Sequence, residues 1–519
     1  MLWITLLCFA ASLLHARENY RVEMVPTPPT IHQTQQIDAL CFTPGGKLAV
    51  CLPVGEIWLM EPESRIWTLF AEGLHNPLGM LAVRDHDFIV TQRPELTRVV
   101  DEDGDGRADR YECLSDQFGL SGNYHEFNFT PVADARGDIF FALGTGSNGD
   151  GIRQIVRGKY KQNGRPGRMH ASVPYRGWIM KHDMGTGETI PWASGLRTPN
   201  GIGFDLEGNL FATDNQGDWV GACKLFHIQK NEFYGHAASF NWRPDAEEPA
   251  LLMGAKKLDS YRTRAAVVFP YGSMSNSPSQ PLVDDQDGGF GPFHGQLFVG
   301  EMNQSRILRI MLEEVDGQLQ GACIPFLEGI ELPKGANRLA FGPDSSLYVG
   351  HTKHTWPGEK GISRIIWDGK PPMDVLTMNL TRKGFRLTFT KPLNVEVASN
   401  KDAYQFERYF YGYHEAYGSQ QYDKRKVAVK SVHVSDDRRT VEIELEELAC
   451  YYIHDLQMIG LSADDGSPLA NSNVAYTVNR LLENSPPEPR QYDYEEITVE
   501  TVPEKEEKGG QDSNALIPN

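Results

Sequence analysis

The chain has 519 residues, 40% of them hydrophobic, with 50 glycines and 32 prolines, which is enough for two or three domains around a large buried core. Its formal net charge of −19 repels phosphate backbones and excludes a nucleic-acid binder held by electrostatics. After the first residues, no stretch approaches the roughly 20 apolar residues that span a bilayer, so no membrane span is expected in the mature chain.

Residues 1–16, Met1-Leu-Trp-Ile-Thr-Leu-Leu-Cys-Phe-Ala-Ala-Ser-Leu-Leu-His-Ala16, form an apolar run ending in small residues. They read as a secretory signal peptide, which places the protein in the periplasm or outside the cell. Its removal takes Cys8 and leaves Cys41, Cys51, Cys113, Cys223, Cys323 and Cys450. Six cysteines permit disulfides without requiring them; Cys41 and Cys51, flanking one short turn, are either a cross-strand pair or two buried thiols. No Cys-x-x-Cys, Cys-x-x-Cys-His or zinc spacing occurs, so covalent haem and structural zinc have no support.

From about residue 30 to 370 one phrase recurs: a short strand, a turn with Gly or Pro, an apolar strand, and a further strand. Ile37–Phe42, the turn Pro44-Gly-Gly46, Leu48–Val50 and Glu56–Met60 make the first copy. Asn200–Phe204, Leu210–Thr213 and Lys224–Ile228 make another, as do Asn337–Phe341, Leu347–Val349 and Ile362–Ile366. Partial copies begin at Met80 and Phe127, and one contains Gln296–Val299 with Arg306–Ile310. Six phases of short strands predict a six-bladed β-propeller over 30–370, because radial closure protects edges that an open sheet would expose.

Insertions interrupt the period. The first, Asp101-Glu-Asp-Gly-Asp-Gly-Arg-Ala-Asp-Arg-Tyr-Glu112, has the ligand order of an EF-hand calcium loop: Asp101, Asp103, Asp105, Arg107, Asp109 and Glu112 stand at positions one, three, five, seven, nine and twelve, with Gly106 at six. A β-like run, Leu96–Val100, precedes it, so the expected calcium is a structural clip rather than part of a helix-loop-helix sensor. The second insertion runs from Gly146 to Tyr175, and the third from Tyr234 to Pro292. Past Pro371-Pro372 the phrase stops, and alternating strands such as Phe385–Phe389 and Thr440–Leu445 predict an immunoglobulin-like β-sandwich over 373–480. The aromatic run Tyr404–Tyr422 fits either a sandwich core or a sugar-stacking surface. Residues 484–519 form an acidic tail expected to be disordered. The class is therefore all-β: a six-bladed β-propeller followed by an immunoglobulin-like sandwich.

Polar residues at strand ends converge on a propeller's channel. His125 opens one phrase, ahead of Gly144-Thr-Gly146; Arg197 opens the next in Arg197-Thr-Pro-Asn-Gly201; Asp214, Asn215 and Asp218 close the following strand. At these residues the chain resembles the quinoprotein glucose/sorbosone dehydrogenase family of six-bladed propellers, over roughly residues 35–370. The resemblance implies that His125 is the general base and that Arg197, Thr198, Asn200 and Arg338 contact pyrroloquinoline quinone. Thr198 stands where that family has Asn, and Gly335 and Asn337 stand where it has an Arg-x-Arg pair. In overall texture the chain is similar to exported bacterial dehydrogenase-like proteins that join a propeller to an acidic Asp-x-Asp-Gly-Asp-Gly loop and a sandwich. Those often carry a cytochrome module, absent here, so a separate electron acceptor is implied.

Three functions follow as expectations. The first is an exported sugar or alcohol dehydrogenase oxidising an aldose or another small molecule with a quinone. The second is a non-catalytic, calcium-stabilised module that binds carbohydrate or protein. The third is a lactonase-type hydrolase, with Glu126, Asn200, Asp214 and Glu301 as metal ligands. His351-Thr-Lys-His354 has a metal-like spacing without a third ligand and reads as a loop.

Overall fold

The recurring phrase has a simple local cause. In four of the six copies the turn from the first strand to the second holds one residue in a left-handed backbone: Gly46 (φ 88°), Gly137 (φ 86°), Gly208 (φ 83°) and Ser345 (φ 60°). At three of them glycine takes this conformation without a Cβ penalty, so the turn closes tightly.

The computed structural model describes residues 19–32, 34–147, 156–161, 169–246, 250–329, 331–353 and 358–486. The expected signal segment, most of the acidic tail and His354 lie outside them. Six antiparallel four-stranded units are arranged with their first strands innermost. These inner strands are Ala39–Phe42, Gly79–Arg84, Asn128–Ala133, Gly201–Phe204, Pro278–Val283 and Ala336–Phe341. Each packs on the next, and the sixth packs on the first, so the ring is closed. Blades 1 to 6 are numbered here in that order.

The outer strand of blade 6 comes from the start of the chain. Tyr20–Val25 pairs antiparallel with Gly361–Trp367, Tyr20 facing Trp367 and Val25 facing Ile362. The ring thus includes residues ahead of position 30, where the phrase begins. Tyr20 is buried, donates its hydroxyl to the Phe290 carbonyl at 3.0 Å, and packs edge-on to Phe326. Pairing the two ends of the ring in one sheet converts its closure into ordinary ladder hydrogen bonds.

Blade 5 continues into the second domain. Its outer strand Gln318–Glu328 pairs with Asn473–Val478, which makes one eight-stranded sheet across both. A second sheet (Val375–Thr381, Gly384–Phe389, Thr440–Leu445, Val429–Val434) packs over the sandwich core of Phe385, Phe406, Ile443, Leu456 and Tyr476. Fully buried Arg309 ties the junction, donating to Asp374 Oδ2 at 3.1 Å and to the Val375 carbonyl at 2.6 Å. The six cysteines are all free. Cys41 lies opposite Ala49 and Cys51 opposite Ala39, so their registers are offset and the two thiols do not face each other.

One cation occupies the centre of the ring. Arg338, 1% exposed, donates from Nε and Nη2 to the Leu78 carbonyl at 3.0 and 2.5 Å, and from Nη1 to the carbonyls of Asn200 and Asn337 at 2.9 and 2.8 Å. Leu78, Asn200 and Asn337 stand at the starts of blades 2, 4 and 6, so one guanidinium joins three blades across the channel. Replacing it with Met would leave those buried carbonyls without donors. Arg338→Met is expected to lose on the order of 3 kcal/mol of stability, read as a lower urea midpoint at unchanged slope. An unchanged midpoint would show that the ring does not depend on this contact.

Candidate functional site at the channel mouth

The inner strands begin on one face of the ring and the second strands end there, so short connections gather polar side chains around the channel mouth. Blade 3 brings His125 through the turn Asn123–Phe127. The His125 amide donates to Asn123 Oδ1 at 3.0 Å, and its ring stacks on Tyr124 with centroids 4.2 Å apart. Arg93, at the end of the second strand of blade 2, donates to the carbonyls of Asn123 and Tyr124 at 2.7 and 2.8 Å and fixes that turn. The guanidinium of Arg93 also lies 5.0 Å from the centroid of the Phe127 ring.

His125 Nδ1 is buried and has no hydrogen-bonding partner among the described residues. Burial is the main cause that pulls its pKa down to about 3, and the nearby Arg197 and Arg93 push the same way. The imidazole is therefore neutral, with one buried nitrogen uncommitted.

Blade 4 supplies Arg197. Its amide and that of Thr198 donate to the Asp214 carboxylate at 2.9 and 2.7 Å, and its Nε donates to Asp218 Oδ1 at 3.1 Å. Gly217 is required beside it, because a Cβ there would stand 2.0 Å from Arg197 Nε. Burial pushes the Asp214 carboxyl above its usual range. Burial would do the same to Asp218, but His236 and Arg197 together hold that carboxyl well below it. His236 Nε2 lies 3.4 Å from Asp218 Oδ2, both fully buried. Sequence reasoning missed His236 because it sits inside the third insertion, away from any phrase. It also missed the sandwich's contribution. Tyr417 bridges to Asp218, the Gly418 amide donates to the Gly217 carbonyl at 3.0 Å, and the Arg197 guanidinium lies 5.6 Å from the Tyr417 ring centroid. The aromatic run is thus divided: Tyr404, Phe406, Tyr409 and Tyr413 are buried, whereas Tyr417 is exposed at the mouth.

The remaining expected residues separate by position. Thr198 stays beside Arg197, with its hydroxyl 3.5 Å from Arg197 Nη1. Asn200 and Arg338 lie deeper and bond each other, forming the floor. Glu126, fully buried, accepts from the Ser121 amide at 2.7 Å and lies 3.9 Å from Arg176 Nε. Glu301 accepts the amides of Asn276, Ser277 and Asn303. Of the four residues considered for a lactonase metal, Asn200 and Asp214 thus belong to blade 4, Glu126 to the start of blade 3 and Glu301 to blade 5. Buried His351 bonds Ser363 at 2.8 Å.

The acidic loop is a separate place, outside the mouth. Carboxylate oxygens of Asp101, Asp103 and Asp109 lie within 4.8 Å of one another, the one grouping of this kind among the described residues. Asp101 is buried, accepting the amides of Gly104 and Gly106 at 2.7 and 2.9 Å, with His86 Nδ1 3.0 Å from its Oδ2. The Asp105 and Glu112 carboxylates are not part of this group. Asp105 accepts the Arg107 amide at 2.8 Å, and Arg107 reaches towards Glu72 at 3.5 Å. Glu112 already lies in the strand Arg110–Ser115, whose ladder with Leu96–Val100 turns its side chain to Arg110, 2.6 Å away.

The sequence model of a domain of unknown function (DUF7133) matches residues 66–320. No curated protein matches the chain. Among solved structures, the chain is similar to the PQQ-bound aldose sugar dehydrogenase of Streptomyces coelicolor, with 16% identity, a TM-score of 0.44, and coverage of 67% of this chain and 98% of that one. It is similar to the pyranose dehydrogenase PQQ domain of Coprinopsis cinerea (13%, TM-score 0.45, 67% and 95%). A third likeness is to a Trichoderma reesei carbohydrate-active enzyme of family AA12 (11%, TM-score 0.46, 68% and 96%). At these values the chemistry has to come from the residues of this chain.

His125 leaves a pH signature. Its folded pKa, about 3, lies below the ordinary histidine value of 6.5, as do those of His351 and His454, both about 4 through burial. The unfolded chain binds these protons first, so the stability they contribute is complete above pH 6.5 and is lost as pH falls towards 4 and then 3. His125→Asn is expected to make the melting temperature fall less steeply between pH 6.5 and 4 than in the wild type. Identical slopes would contradict a neutral, buried His125.

Proposed function

We propose that the protein is an exported sugar or alcohol dehydrogenase-like oxidoreductase whose substrate and redox cofactor meet at the channel mouth. The observation that carries this reading is the His125 imidazole, neutral, stacked on Tyr124 and uncommitted at a buried Nδ1, with Arg93 and Arg197 close enough to act on its charge.

Arg197 and Arg93, with Thr198 beside Arg197, would hold the acidic groups of a quinone, and Arg338 would not, because its hydrogen bonds go to the channel floor. A pyrroloquinoline quinone held there would supply a two-electron, hydride-accepting oxidant. The protein's own part is to position a sugar hydroxyl at His125 Nδ1, to take its proton, and to shield that exchange from water. A base with a pKa near 3 is weak. His125 gains basicity when an anion neutralises the two guanidiniums that disfavour its protonated form. Tyr417 adds an aromatic wall suited to the face of a sugar ring. A separate acceptor would be needed to take the electrons, and the signal-like residues 1–16 support an exported location.

With the quinone, calcium and an artificial acceptor supplied, aldoses are expected to reduce the acceptor. His125→Ala should lower kcat by roughly 10²–10⁴-fold. No reduction by the wild type, with glycans still bound, would favour the second reading, a carbohydrate-binding propeller, to which exposed Tyr417 also points.

We also propose calcium at Asp101, Asp103 and Asp109 as a clip on blade 2, since three converging carboxylates repel one another without a cation. Chelation should lower the melting temperature, and Asp103→Ala should reproduce the loss and abolish the response to chelator. Calcium from about 10⁻⁴ to 10⁻³ M is the range to scan. A melting temperature indifferent to both would remove the clip.

A further inference from the structure

His236 is a buried titratable group that the proposed chemistry leaves unused, and it stands one carboxylate away from Arg197. Backbone contacts set its place. The Gly195 carbonyl, two residues before Arg197, accepts from the His236 amide at 2.7 Å, and the Gly195 amide donates to Ser239 Oγ at 2.6 Å. Gly195 has φ 91°, and a Cβ on it would stand 2.3 Å from the Tyr234 amide nitrogen. The third insertion is thus pressed against the backbone that leads into Arg197. The sandwich adds a clamp, because Tyr413 donates its hydroxyl to the Gly235 carbonyl at 2.5 Å.

Asp218 lies between the two, one oxygen towards each. Arg197 Nε donates to its Oδ1 at 3.1 Å, and His236 Nε2 lies 3.4 Å from its Oδ2. Among the described residues, Asp218 Oδ2 and both His236 nitrogens are buried and make no other hydrogen bond. A buried carboxylate oxygen and a buried imidazole each cost stability when left alone, so each compensates the other here. Burial raises the Asp218 pKa, but His236 first and Arg197 second hold the carboxyl well below its usual range. Without His236 the balance moves towards a protonated Asp218, whose bond to Arg197 Nε is no longer charge-assisted on both sides. Asp214 does not stand in for it. Its oxygens accept the amides of Arg197, Thr198 and Asn215, and burial holds its carboxyl above the usual range.

We propose that His236 is a positioning residue for Arg197: its Nε2–H donates to Asp218 Oδ2 and fixes the carboxylate whose other oxygen holds the guanidinium at the mouth. The inference rests on the reading in which Arg197 meets an acidic group of the quinone. It gives the third insertion a part in that site, and it puts the proton of a neutral His236 on Nε2, leaving Nδ1 as the acceptor.

Two readouts on the full-length protein test this role apart from the quinone reading. The first needs no ligand: solvent exchange of the Arg197 Nε–H resonance, labelled at arginine and identified by its loss in Arg197→Lys. His236→Gln places an amide donor near Nε2 and should exchange as slowly as the wild type, whereas His236→Asn places it near Nδ1 and should exchange about tenfold faster. The second is calorimetric titration with pyrroloquinoline quinone, which His236→Asn should bind about tenfold more weakly and His236→Gln as the wild type does. In an Asp218→Asn background the effect of His236→Asn should vanish, since the carboxylate it acts through is gone. Faster exchange in His236→Asn, with no quinone bound even by the wild type, upholds the positioning role and removes the quinone reading. Equal exchange in all three proteins, an equal loss in His236→Gln and His236→Asn, or an undiminished effect in the Asp218→Asn background overturns the proposal.

Discussion

The structure depends on closing a ring of six sheets with no gap, and two contacts do most of that. At the rim, Tyr20–Val25 completes blade 6, so the start of the chain and the last blade are held in one ladder. At the axis, Arg338 binds the carbonyls of Leu78, Asn200 and Asn337 and thereby fastens blades 2, 4 and 6 to one group. Among the described residues this buried guanidinium has no paired carboxylate, and burial lowers its pKa to about 10 against the opposing effect of Asp38. It remains charged at neutral pH, and its planar fork meets acceptors in several directions, which Lys cannot do. The same contact sets the floor of the mouth and thereby the depth to which a ligand can enter.

Above that floor, the electrostatics differ from those of the protein as a whole. An acidic chain places Arg93 and Arg197 around a neutral histidine. Asp218 balances Arg197 on one side only, and the carboxylate is itself shared with buried His236. The neutral state of His125 follows from burial first and from these cations second. The sandwich is part of this arrangement, because Tyr417 and Gly418 dock on Asp218 and Gly217. Blade 5 holds the sandwich in that position through the continuous sheet at Gly321–Cys323.

The second strands of the blades were legible because buried residues follow a left-handed turn. Leu48–Val50, Leu210–Thr213 and Leu347–Val349 were read within two residues of the observed Leu48–Cys51, Leu210–Asp214 and Leu347–His351. The outer strands were not. Ile66–Ala71 and Arg110–Ser115 face solvent on one side, with Ile66 itself 64% exposed, so their apolar pattern is diluted. Tyr20–Val25 escaped for a different reason, since nothing local marks a strand whose partner is some 340 residues away. In the site, His125 and Arg197 could be found from their places in the phrase. Arg338 could be found only as a nearby cation, and its true partners are backbone carbonyls, which a sequence does not display. The acidic loop shows the limit of a motif: Asp101, Asp103 and Asp109 converge, but the strand that begins at Arg110 overrides the spacing and carries Glu112 away.

The account rests on His125 as an uncommitted, neutral base that an acidic cofactor can tune. The direct measurement is the His125 ring resonance in isotope-labelled, calcium-loaded protein, followed through a pH titration with and without pyrroloquinoline quinone. The account predicts a neutral ring across pH 5–8 without the quinone and, once the quinone binds, a shifted resonance with a higher pKa. A His125 resonance that titrates near 6.5 in the free protein, or that does not respond to the quinone, would contradict it.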